Sequence, residues 1–196
     1  MEGIIKFEVY WNDKTIIPVD EFDKINPWRN KLYHQGLIGI TPDGIAFGNI
    51  SHQVGEKLNF IITASATGGM KLLCRDDYAE VINFDLNNNS LECRGGKIAS
   101  SESLSHAAIY LANAKVKAVM HIHAINLWEK YFSRMPTTEA EAEYGTLQMA
   151  QSVGSLVGKN RENNGVIIMG GHKEGILVYG TDYTNCYQQL IRLIQA

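Results

Sequence analysis

The chain is poor in the features that mark several large protein classes. Only three of its 196 residues are cysteine. Cys74, Cys93 and Cys186 lie far apart and form no C-x-x-C pair, so neither a disulfide framework nor a thiolate zinc site is expected from them. Each reads as a small buried or half-buried side chain in a reducing compartment. Prolines number four, and no repeat, linker or low-complexity stretch interrupts the chain. No apolar run approaches the roughly 18 residues that a membrane span needs. The N-terminus, MEGIIKFEVYWND, lacks the basic segment and longer apolar stretch of a secretory leader, so a cytoplasmic location is expected. Basic residues (18) do not outnumber acidic ones (21), which argues against duplex nucleic acid as a partner. Neither G-x-G-x-x-G nor the phosphate loop G-x-x-x-x-G-K-[ST] occurs.

What the chain does have is a core. Hydrophobic residues make up 45% and charged residues 20%, the balance of a folded domain and not of a disordered chain. The length implies one domain, residues 1–196. Alternation predicts strands over 3–11, 58–63, 80–85 and 91–94, the last two joined by the turn NNNS. A turn at TPDG within 39–50 leads through a short strand into GNIS. Apolar spacing predicts helices over 20–35, with Gly36 as its stop, over 125–132, 144–157 and 183–194, and after the cap Ser100-Ser101. Short apolar runs at 116–122, 166–169 and 176–179 read as buried strands. Strands that follow one another directly point to an α/β/α sandwich with a mixed, largely antiparallel sheet.

The chemistry-bearing residues fall into five short stretches. His121 and His123 sit two apart on a strand and so face the same side, a spacing that lets two imidazole nitrogens converge on one ion. His172 lies in the glycine-rich turn GGHKEG between two strands, where a third imidazole can join them. Ser100-Ser101-Glu102 precede a helix, and free amides at a helix start favour an anion. Glu102 there either complements the helix dipole or faces a metal, and His106, one turn on, is a structural partner or a hydrogen-bond support for Glu102. Gly48-Asn49 and the loop Ala64-Ser65-Ala66-Thr67-Gly68-Gly69 offer close backbone approach and an amide nest.

Taken together and in this order, these pieces resemble the class II aldolase/adducin family. The matching stretches are GLIGITPDGIAFGNIS, ITASATGG, ASSESLSHAAIYLAN, AVMHIHAINLW, EYGTLQMA and GVIIMGGHKEGILVYG. The resemblance implies that His121, His123 and His172 bind a divalent metal, usually zinc. Glu102 would complete the metal site and act as the catalytic acid/base, and Asn49, Thr67, Gly68, Ser100 and Ser101 would contact a substrate phosphate. It further implies a lyase of the aldolase type, acting through a metal-stabilised enediolate on a small phosphorylated sugar or hydroxy-carbonyl compound. Tetramers with active sites at subunit interfaces are common in the family. Epimerases and dehydratases share the same metal site, and adducin is a non-catalytic binding protein. Three departures stand out. The short segment from His123 to Glu143 offers no match for the aldolase's proton-donating tyrosine, with only Tyr131 and Tyr144 nearby. GGHKEG differs from the commoner turn, and His52 follows GNIS where a nonpolar residue and then arginine are more usual.

Overall fold

Apolar and polar positions sort this chain into two helical layers on either side of one sheet. The computed structural model describes residues 4–13, 15–55 and 57–196. In chain order the elements are β1 (Glu8–Asp13), α1 (Val19–His34), β2 (Gly39–Ile40), β3 (Ala46–Phe47), β4 (Asn49–Gln53), β5 (Phe60–Thr63), β6 (Tyr78–Asp85), β7 (Ser90–Gly95), α2 (Ser103–Ala112), β8 (Ala118–His123), α3 (Ile125–Tyr131), α4 (Leu147–Lys159), β9 (Gly165–Ile168), β10 (Gly175–Gly180) and α5 (Tyr183–Gln195). Eight strands form one sheet in the order β1-β7-β6-β5-β4-β8-β10-β9, and β2 pairs with β3 apart from it. β1 and β7 run parallel; the other neighbours in the large sheet are antiparallel. The sandwich and its mixed, largely antiparallel sheet are as expected.

Strand alternation decides which side chain meets which layer. Val119 of β8, Ile167 of β9 and Leu177 of β10 pack with Leu104, Ala107 and Ala108 of α2 and Met149, Ala150 and Val153 of α4. Met120 and Ile122 of β8, Ile50 of β4 and Val178 of β10 pack with Ile25 and Leu32 of α1 and Leu190 of α5. Each such buried valine, leucine, isoleucine or methionine contributes about 1.5–3 kcal/mol relative to exposure. The same alternation turns Asn49, Ser51, His121 and His123 toward the α2 layer and His52 toward the α1–α5 layer.

Several boundaries differ from the sequence reading, each for a local reason. The expected first strand begins at residue 3, which lies outside the described residues; pairing with β7 starts at Glu8. Gly36 follows α1 with φ +71°, and Gly36 and Leu37 donate to the carbonyls of Tyr33 and Leu32. That double bond pattern ends the helix at a glycine, as predicted. The helix expected over 144–157 starts later, because Gly145 is at φ +68° and Thr146 caps the chain through Met149 N–H. Ser100 and Ser101 do not cap α2 directly. They form the turn before it, with Ser100 Oγ accepting from Glu102 N–H and Ser103 Oγ donating to Ser100 O, and Glu102 itself is the N-cap residue.

Candidate metal centre

β8 ends in His121-Ile122-His123, and the turn between β9 and β10 brings His172 to it. β10 runs antiparallel to β8 with Gly175 opposite His123, so the turn just before β10 must lie at the same sheet end. The turn is tight: His172 N–H donates to Met169 O and Gly175 N–H to His172 O. A Cβ on Gly171 would overlap the Ala142 carbonyl, and one on Gly175 would run into the His172 ring. A Cβ on Gly170 would meet the Thr138 carbonyl, so the unusual GGHKEG sequence keeps glycine at three positions where no side chain fits.

The three imidazoles converge. Their ring centroids are 5.1 Å (His121–His123), 5.2 Å (His121–His172) and 4.7 Å (His123–His172) apart. One ligand nitrogen from each lies within 4.8 Å of the others, and the Nε2 atoms of His123 and His172 are 3.0 Å apart. Burial, reinforced by the two neighbouring imidazoles, holds His121 well below its ordinary pKa. The ring is therefore neutral, the state in which it can ligate a cation. Its Nε2 is buried with no hydrogen-bond partner among the described residues, an orphaned lone pair of the kind a metal satisfies. These observations fit a divalent cation.

Asn49 supports that nitrogen from behind. It stands opposite His121 in the β4–β8 pairing, with Nδ2 3.2 Å from His121 Nδ1, while its Oδ1 is buried with no partner among the described residues. A half-turn of the amide lets Oδ1 accept a proton from Nδ1, which leaves the Nε2 lone pair for the metal. Two aromatic rings brace the other histidines. Phe47 stacks on His123 at 4.9 Å and 23°, and Tyr144 packs on His172 at 4.8 Å, with Lys6 Nζ 4.0 Å over the Tyr144 ring. Tyr131 is not at the site: its hydroxyl donates to Leu193 O on α5.

The remaining sequence candidates meet around one small cavity next to the histidines. Asn49, Thr67, Gly68, Ser100, Ser101 and Glu102 all line it. Glu102 is only 2% exposed, and its carboxylate makes no capping bond to α2. It stands on the cavity wall and not within the cluster of three histidines. His106 takes the structural role: Ser51 Oγ lies 2.7 Å from its Nδ1 and 2.7 Å from the Tyr110 hydroxyl. Nor does His52 face the cavity. It turns to the opposite layer, with Nε2 2.5 Å from Glu21 and Nδ1 3.2 Å from the Tyr183 hydroxyl.

One residue escaped the sequence reading. Arg29 of α1 is 1% exposed and reaches the cavity loop from behind. Its Nη2 donates to the carbonyls of Thr67 (3.1 Å), Gly68 (3.0 Å) and Met70, and its Nη1 to Lys71 O (3.4 Å). The signal was a charge on the apolar stripe of α1, between Ile25 and Leu32.

Comparisons with known proteins agree with this fold. The family model described as class II aldolase and adducin N-terminal domain matches residues 31–196. A search of the curated proteins found no match. Among solved structures, an L-fuculose 1-phosphate aldolase superposes with a TM-score of 0.68 at 20% identity, covering 92% of this chain and 84% of that one. A sugar-phosphate aldolase from Thermotoga maritima gives 0.68 at 16% identity, covering 89% and 90%. YgbL from Klebsiella pneumoniae, described as a putative aldolase/epimerase/decarboxylase, gives 0.66 at 18% identity, covering 90% and 87%.

Proposed function

The chain belongs to the class II aldolase and adducin family, and on that premise we propose that it is a metal-dependent lyase that cleaves a carbon–carbon bond in a small phosphorylated sugar or hydroxy-carbonyl substrate. The observation that carries this reading is the meeting of three buried histidines, one with an orphaned ring nitrogen, beside a cavity lined by a buried carboxylate. His121, His123 and His172 would hold the divalent ion, which we take to be zinc, for which three histidines with an open fourth position are a common catalytic ligand set. Such an ion, when bound, supplies Lewis acidity where negative charge develops next to a carbonyl.

The chain's own groups would do the rest. Glu102, buried at the cavity wall, takes or returns a proton at its carboxylate oxygens. Ser100 and Ser101 in the turn before α2, with the loop at Thr67 and Gly68, hold the phosphate and so fix the reacting carbon. Asn49 spans both regions, touching His121 and lining the cavity. Retention of all three histidines supports an enzyme over an adducin-like binding protein. We read the molecule as one domain over residues 1–196 that assembles as a homo-oligomer, a tetramer by family resemblance. No helix among the described residues is long and apolar enough to cross a membrane.

A second reading, epimerase or dehydratase, is favoured by Tyr131. It is the one tyrosine between His123 and Glu143, and its hydroxyl is spent on Leu193. The two readings separate in one experiment. Metal-loaded protein is incubated with a panel of ketose phosphates and the products followed by ¹H and ³¹P NMR. Cleavage into two carbonyl fragments supports the lyase. A single epimer or a dehydrated product supports the second reading, and an unchanged panel contradicts both.

A further inference from the structure

Arg29 is a fully buried cation with no carboxylate against it among the described residues. The carboxylate that acts on it is Asp77, more weakly than the Tyr78 and Tyr33 hydroxyls, and Asp77 is paired with Lys97 at 2.6 Å. The guanidinium instead spends its donors on backbone carbonyls, those of Thr67, Gly68, Met70 and Lys71. Its flat face is covered by Tyr33, 4.6 Å from the ring centroid. Burying an arginine this way costs desolvation that a methionine or leucine would not. The fork must therefore do something for the loop that packing alone does not.

The peptide plane says what. Each peptide is rigid and trans, so its N–H points opposite to its carbonyl. Drawing the Thr67 and Gly68 carbonyls onto one guanidinium turns the amides of Gly68 and Gly69 away from Arg29. Thr67 and Gly68 line the cavity beside Ser100 and Ser101, together with Ala64, Ser65 and Ala66 of the same loop. The Thr67 hydroxyl is used inside the loop, donating to Ala64 O at 2.7 Å, so what Thr67 and Gly68 can offer an anion is their backbone. Gly68 has no room for a side chain: a Cβ there would lie 2.6 Å from the carbonyl oxygens of both Gly39 and Phe47. The loop is thus fixed from two sides, by Arg29 behind and by β2 and β3 alongside.

We propose that Arg29 is the positioning residue of the anion site: its guanidinium gathers the carbonyls of loop 67–71 so that the amides of Gly68 and Gly69 face the cavity and receive a phosphate, while the Met70 amide closes the loop on Thr67 O. This rests on the phosphate subsite in the function proposed above and adds the residue that organises it. A lysine, with one point charge in place of a planar fork, cannot hold three carbonyls in the same arrangement.

The test is calorimetric titration of the full-length chain with inorganic phosphate, once metal-loaded and once after chelation, so that phosphate on the metal is separated from phosphate in the loop. Wild type should bind phosphate in both states. R29M should bind at least tenfold more weakly in both, with unchanged metal stoichiometry, and R29K should recover only part of the loss. An R29M protein that melts lower yet binds phosphate as tightly as wild type would show a merely structural arginine and overturn the proposal. Should R29M fail to fold, a folded R29K with wild-type phosphate affinity overturns it equally. Wild type that binds no phosphate after chelation would remove the phosphate subsite itself, a failure of the earlier reading that is visible without any Arg29 variant.

Discussion

His106 is fully buried, bonded at Nδ1 to Ser51 and with Nε2 unpartnered among the described residues, and burial pushes its pKa down to about 3. In the unfolded chain an imidazole titrates near 6.5. The folded state therefore holds the ring neutral, and the unfolded state binds the extra proton as pH falls. The stability this neutral ring lends is complete above about 6.5 and drains away between there and about 3, at up to about 1.4 kcal/mol per pH unit. Denaturant unfolding at a series of pH values should show that slope in wild type and a shallower one in H106Q; equal slopes would refute the assignment. Glu102 makes a different prediction. Glutamine keeps its size and removes its proton chemistry, so E102Q should retain the metal and lose on the order of 10²- to 10⁴-fold in kcat. Metal content and turnover measured on the same preparation check it, and E102Q with wild-type turnover contradicts the acid/base role.

Among elements, the turns carry the site. Gly36 and Gly171 both sit in turns, yet they fail differently when given a side chain. Gly36 is at φ +71° with open space where a methyl would go, so G36A meets only backbone strain, about 1 kcal/mol. G171A meets the Ala142 carbonyl, which must move, and the turn holding His172 moves with it. G36A should melt a few degrees lower with its metal in place, while G171A should lose metal affinity tenfold or more, both read by thermal melts and metal titration. Equal metal affinity in the two would mean that the turn does not place His172. These turns also mark how far the sequence could be read. The pairing of His121 with His123 follows from strand alternation, which is local. The end of α1 at Gly36 was local too. His172 joins the pair only because β10 folds back along β8, a long-range pairing that spacing cannot reveal; the family resemblance supplied it. For Arg29 the sequence shows only a charge on the apolar stripe of α1; its role is out of reach, since its partners are carbonyls 38 to 42 residues away, and carbonyl direction has no signature in side-chain pattern. The late start of α4, by contrast, has a local cause, the positive φ of Gly145 and the Thr146 cap.

At the scale of the molecule, the sheet is what brings the parts together. β4, β8 and β10 are adjacent, so Asn49, the histidine pair and the His172 turn collect at one place, and the turn before α2 brings Ser100–Glu102 to the adjoining cavity. A cation held between β8 and the β9–β10 turn would bind the folded chain in preference to the unfolded one and so would stabilise the whole by mass action, about 2.7 kcal/mol at a hundredfold excess over Kd. Chelation should lower the melting temperature and re-addition of zinc restore it; a melt indifferent to both would place the ion outside the fold. The most direct measurement is elemental analysis of the purified wild type beside H121A, H123A and H172A. The account predicts close to one divalent ion per chain in the wild type and loss of that ion in each of the three variants. A well-folded wild type that takes up no divalent ion, or an H172A protein that keeps it with undiminished affinity, would contradict it.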